Sequence, residues 1–233
     1  GGDVTVVANA EGNNRDGSVR LYPGALWQST GTETHTIGGQ FIAQSGAALT
    51  PASSTFVFTA TTTGKAISAS SSLTFYNLTF AGAGGAWDIS GVGTSTNDLM
   101  ISAGTVTMPS GTLAVGSTFD ASGGSFIHNS GTIKFTSTAS GKNVRAAGSS
   151  FGNLLFAGSG GAWTFLDTNA TTTGSVVITA GTPTLPTGIL YVGTDFDNRG
   201  GTVVAGGGTL QMTAASNGHI VRMNGSNLGN FTV

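Results

Sequence analysis

Three stretches of this chain follow one pattern: Gly17-Ser-Val-Arg-Leu-Tyr-Pro-Gly24, Gly104-Thr-Val-Thr-Met-Pro-Ser-Gly111 and Gly181-Thr-Pro-Thr-Leu-Pro-Thr-Gly188. The second and third begin 77 positions apart, and the first begins 87 before the second. The echo runs the length of the chain. Phe58-Thr…Gly64-Lys65 returns as Phe135-Thr…Gly141-Lys142 and as Met212-Thr…Gly218-His219. Phe75-Tyr-Asn77-Leu-Thr-Phe80 returns as Phe151-Gly-Asn153-Leu-Leu-Phe156 and as Leu228-Gly-Asn230-Phe-Thr-Val233. Gly84-Gly-Ala-Trp87 matches Gly160-Gly-Ala-Trp163. Repetition at a fixed period restricts the architecture to stacked or tandem units, so it is read before any motif.

The register divides residues 1–233 into one repeat domain with units at about 3–97, 98–174 and 175–233. Two insertions lengthen the first unit, Ala8–Asp16 and Ala47–Thr55, and the third lacks the counterpart of 160–174. No helix is expected, because no 3.6-residue apolar period survives beyond a turn. Short β-branched or aromatic runs bounded by Gly, Ser, Asn or Pro recur throughout, as in Thr105-Val-Thr-Met, Thr132-Ile-Lys-Phe-Thr and Thr209-Leu-Gln-Met-Thr. In the middle example Ile133 and Phe135 are expected to face inward and Lys134 outward.

Two all-β architectures accommodate these runs. One is a row of small tandem β-sandwiches, each short of the roughly 100 residues that fold takes. The other is a parallel β-solenoid (β-helix) with about three coils per unit, each of roughly 25 residues and three strands. Very short strands, Gly at the corners and the lack of linkers favour the solenoid. Nine or so coils at ~4.8 Å each give a rod roughly 45 Å long.

Composition narrows the function classes. Charged residues make up 8% of the chain, against about 25% in an ordinary soluble domain. The formal net charge is −2, which argues against electrostatic capture of nucleic acid or anionic membranes. The absence of Cys excludes disulfides and thiolate metal sites. No apolar run approaches the roughly 18 residues of a membrane span, so no membrane insertion is expected. A start at Gly-Gly-Asp reads as a processed product or a fragment. Richness in Gly, Ser, Thr and Asn suits a secreted or surface-exposed structural protein.

The strings SSLTFYNLTFAGAGGAW, SGGSFIHNSGTIKFTSTASGK and ISAGTVTMPSGTLAVG resemble the repeats of very large bacterial secreted or surface adhesin-like proteins. That resemblance covers most of the second and third units and, more weakly, the first, and implies a β-helical fold. It brings no catalytic motif to any position here.

The residues able to carry chemistry are few. Asp195 and Asp197 form the one close carboxylate pair; flanking Phe196, they are expected to point outward and serve a turn rather than cleave a glycoside. His35, His128 and His219 have no partner at metal-ligand spacing, so no metal or cofactor is expected. Gly206-Gly207-Gly208 lacks the strand–loop–helix setting of a phosphate loop. Lys65, Lys142 and His219 share one repeat position and Arg145 and Arg222 another. They are expected to form a sparse basic column on one face, with Asp120 and Asp197 as an acidic one. Trp87 and Trp163 are expected in core or corner packing rather than sugar stacking. Asn77, Asn153 and Asn230 are expected to bond the neighbouring coil. Thr30–Thr36 and Thr59–Thr63 raise ice binding, which requires the same Thr ranks on many coils.

These readings converge on a non-enzymatic, extracellular or cell-surface structural protein: a segment of a shaft, adhesin or self-assembling filament. End-to-end self-association through Val4-Thr-Val-Val7 and Asn230-Phe-Thr-Val233 is expected, with surface polysaccharide as a further partner. The alternative is a carbohydrate-binding or carbohydrate-cleaving β-helix using Trp87, Trp163, Asp195 and Asp197.

Overall fold

In the computed structural model, residues 17–70, 73–89, 92–95 and 97–233 are described. Val4–Val7 and the Ala8–Asp16 insertion lie outside them. Every strand pair among the described residues is parallel. That excludes tandem sandwiches, whose sheets are antiparallel. The chain winds as a β-solenoid of about ten turns. Turn length varies along it: a tight turn sets Leu99 against Phe119, and a wider one sets Phe41 against Ile67. Most turns are of the tight kind and shorter than the expected coil, because the corners consume only a few residues each.

Each turn has three faces. The first runs through Val19–Leu21, Phe41–Ala43, Lys65–Ala69, residues 86–88, residues 105–107 and Ser125–Ile127. It continues past the bridge at Phe151 through Ala170–Thr172, Ile189–Val192, Thr209–Met212 and Asn230–Thr232. The second holds Leu73–Phe75, Val92–Ser95, Thr112–Val115, Thr132–Phe135, Asn153–Phe156, Val176–Ile178, Phe196–Asn198 and Val221–Arg222. The third starts at Thr34–Ile37 and Thr55–Phe58 and passes residues 77–80 and 99–101. It continues with Phe119–Asp120, Lys142–Arg145, Ala162–Phe165 and Thr182–Thr184, and on through the bridge from Thr184 to Val204. The strands Asn77–Asp88 and Leu99–Thr107 run through the corner between the third and first faces without a break.

Alternation along each strand sends one set of side chains into the bore. In Thr132–Phe135 Ile133 and Phe135 are buried while Lys134 is half-exposed, as the two-residue period required. Phe135 stacks on Phe156 of the next turn at 4.9 Å and Phe58 stacks on Phe80 at 5.5 Å. These two pairs are repeat equivalents, yet they occupy different faces. Phe58 and Phe80 line the third, Phe135 and Phe156 the second.

That displacement is general. From Asn77 to Asn153 the chain advances eleven strand positions, or three and two-thirds turns. From Asn153 to Asn230 it advances eleven again. Asn77 thus stands on the third face, Asn153 on the second and Asn230 on the first. Each unit thus spans somewhat more than the expected three or so coils and is turned by a third of a circuit relative to the one before.

Candidate functional site

The rotation of the units removes the expected basic and acidic columns. Lys65 lies on the first face, Lys142 and Arg145 on the third, and Arg222 on the second. What the repeat places together instead are opposite charges in adjacent turns. Asp120 registers with Arg145 and Asp197 with Arg222.

Asp197 faces outward yet is only 2% exposed, because two arginines cover it. Arg199 Nε donates to its Oδ2 at 2.7 Å. Arg222 Nη1 stands 3.1 Å from Oδ1 without the alignment of a good hydrogen bond, so that contact is chiefly electrostatic. The carboxylate therefore ties turns together and is closed to a substrate. Asp195 does separate work. Its Oδ1 accepts from the Ile220 N–H at 2.9 Å, and this bond, ahead of those from His219, holds its carboxyl below the usual carboxylate value. The two acids are not a paired catalytic dyad.

Trp87 and Trp163 are buried, on the first and third faces respectively. Each indole packs on a Phe, Phe80 at 5.2 Å and Phe156 at 5.4 Å. The far edge of each ring lies over the glycine that opens the next copy of the repeated pattern. A Cβ at Gly104 or Gly181 would sit 2.7 Å from Cζ3 of Trp87 or Trp163. Both glycines also have positive φ, 80° and 85°, which explains their recurrence. A buried Trp filling a corner offers no face to a sugar ring.

Two of the three repeated asparagines, Asn77 and Asn153, join neighbouring turns as expected. Asn77 Nδ2 donates to Thr55 Oγ1 in the preceding turn, and its Oδ1 accepts from Asn97 Nδ2 in the following one. Asn153 Nδ2 donates to the Ser130 carbonyl, and its Oδ1 accepts from the Ser175 N–H. The Thr ranks of an ice-binding face are interrupted: Thr36 is followed in register by Val57 and then Thr79.

The histidines have distinct surroundings. His35 is buried beside Trp27 and Phe56, with Nε2 2.8 Å from Ser29 Oγ. His128 Nδ1 accepts from the Ser130 N–H. His219 lies between Asp195 Oδ1, 3.3 Å from Nδ1, and Ser216 Oγ, 3.0 Å from Nε2. Sequence spacing hid this last group, since Asp195 and His219 are far apart along the chain and meet only through the winding of one turn. No group of three or more His, Asp or Glu suited to a metal ion occurs among the described residues.

Among the described strands Asn230–Thr232 pairs with Thr209–Met212. Ile220, Val221, Phe231 and Val233 are exposed, Val233 at 91%. By repeat position Val233 corresponds to Phe156 of the second unit. No family model, curated protein or solved structure matches the chain.

Proposed function

We propose that this chain is a segment of an extracellular structural shaft, of the kind that forms a surface adhesin or a self-assembling filament. The observation that carries this reading is the parallel ladder wound over one apolar core that runs from turn to turn. A parallel backbone ladder and an apolar bore reach Asn230–Val233 with Phe231 and Val233 uncovered. A strand edge of this kind takes another parallel strand, so the shaft is extended by stacking, end to end with a second copy or with further coils. Low charge and Ser/Thr/Gly-rich outer positions suit a rod whose work is mechanical and whose setting is outside the cell.

Sedimentation and electron microscopy of the chain across a range of concentrations test this. Rods should appear in multiples of the single-chain length, and Phe231→Lys, which places a charge on the edge, should return them to single length. A monodisperse single-length rod at high concentration, with the Asn230–Thr232 amides protected from exchange, would overturn the proposal.

A further inference from the structure

We infer that Ser216, His219 and Asp195 form a nucleophilic acyl-transfer site on the outside of the shaft. His219 Nδ1 faces Asp195 Oδ1 at 3.3 Å and its Nε2 faces Ser216 Oγ at 3.0 Å. This is the order of contacts that activates a serine: carboxylate to one ring nitrogen, hydroxyl to the other. The Ile220 N–H anchors the carboxylate from the same turn as His219. With Nδ1–H turned to Asp195, Nε2 is left as the base toward Ser216. Ser216 is exposed and His219 is only partly so.

The repeat provides an internal comparison. The counterparts of Asp195, Ser216 and His219 are Thr118, Ala139 and Lys142 in the second unit, and Gly31, Thr62 and Lys65 in the first. Neither of those sets joins a carboxylate, an imidazole and a hydroxyl. Only the third unit brings a carboxylate, an imidazole and a hydroxyl to these positions together. A corner requiring only closure would not need that combination.

The chemistry balances with water as the sole co-reactant. Ser216 Oγ attacks an ester carbonyl carbon as its proton passes to His219 Nε2, and the carbonyl electron pair moves to oxygen. Collapse of this intermediate breaks the bond to the alcohol oxygen, which takes the proton from His219. Water, deprotonated by the same nitrogen, then cleaves the acyl-Ser216 ester, releasing a carboxylic acid and restoring the serine. Asp195 is a positioning residue: it fixes the ring and stabilises the imidazolium. Ser216, Asn217 and Gly218 stand exposed on an outer corner, and nothing lies within 4 Å of a Cβ placed at Gly218. The fitting substrate is therefore a short acyl ester, such as an acetyl ester, projecting from a polymer or surface rather than a long acyl chain needing a channel. This site stands independently of the shaft reading.

The test uses the whole chain with a fluorophosphonate probe and with p-nitrophenyl acetate. Mass spectrometry should place the probe on Ser216, and Ser216→Ala should abolish it. His219→Gln should slow both labelling and ester cleavage by about 100-fold or more, the usual contribution of a general base. Asp195→Asn keeps an acceptor for the Ile220 N–H, so the fold should be retained while the rise of rate with pH is displaced. Ser140→Ala, at the corresponding corner of the second unit, should change neither rate. Absence of probe on Ser216, or labelling as fast in His219→Gln as in the unaltered chain, would overturn the inference.

Discussion

Each side chain in the bore meets others in the turns above and below it, so position along a strand decides the effect of a substitution. Phe135 is fully buried between Phe156 and Trp163. Phe135→Ala should cost about 3–5 kcal/mol in denaturant unfolding, and Lys134→Ala, one position away and outward, less than about 0.5 kcal/mol. His35 adds a pH dependence. Burial beside Trp27 and Phe56 pushes its imidazole below the ordinary 6.5, and the Glu33 carboxylate pulls it partly back. The folded state therefore binds less proton than the unfolded chain. The stability His35 contributes is complete above about 6.5 and is lost as pH falls through the lower folded value. Melting temperature should drop between pH 7 and pH 5, and by less in His35→Gln. Glu33 does not confuse this window. Its own backbone N–H first, then the Thr30 hydroxyl, hold its carboxyl at about 2, so it stays charged throughout. The inward set of Thr132–Phe135 was legible in alternation alone. The cover over Asp197 was not, because Arg222 reaches it from the next turn, across a stretch of chain that no local spacing rule bridges.

At the corners successive turns bring their backbones closer than a side chain permits. A Cβ at Gly158 would lie 1.8 Å from the Ser137 carbonyl oxygen, and one at Gly82, its counterpart, 1.8 Å from that of Ala60. Gly158→Ala should destabilise by about 1–3 kcal/mol or more, since backbone must shift to admit the methyl group. Gly111 has nothing within 4 Å of its Cβ position. Gly111→Ala should be neutral or gain up to about 1 kcal/mol through the unfolded chain, and paired thermal melts of the two variants measure the contrast. Punctuation of the strands by glycine was therefore readable before any coordinates. The faces on which the strands lie were not. A fixed repeat period suggests columns of equivalents, and only the length of chain in each turn decides whether they align. Here tight turns such as Leu99↔Phe119 and Val176↔Phe196 alternate with wider ones at Phe41↔Ile67, Phe119↔Val144 and Phe196↔Val221. The period does not divide evenly among them, and the remainder is two-thirds of a turn.

A stack in which each turn touches only its neighbours transmits damage along its axis. In Phe135→Ala, loss of hydrogen-exchange protection should be greatest in the flanking strands Thr112–Val115 and Asn153–Phe156 and should fade toward both ends of the rod. Uniform loss over the whole molecule at once would show a single cooperative unit instead. The offset between unit and turn has one more consequence. Because a unit spans three and two-thirds turns, strands that lie against each other are never copies of one another. Sliding by one unit cannot bring a strand to its twin's seat without also swinging it round the axis, so the winding resists stripping as a screw with matched thread does. A mast built from such units repeats its bearing only after three of them, eleven turns or about 53 Å at ~4.8 Å per turn. Anything a unit carries is then shown in succession to three points of the compass, whichever side a neighbour approaches from.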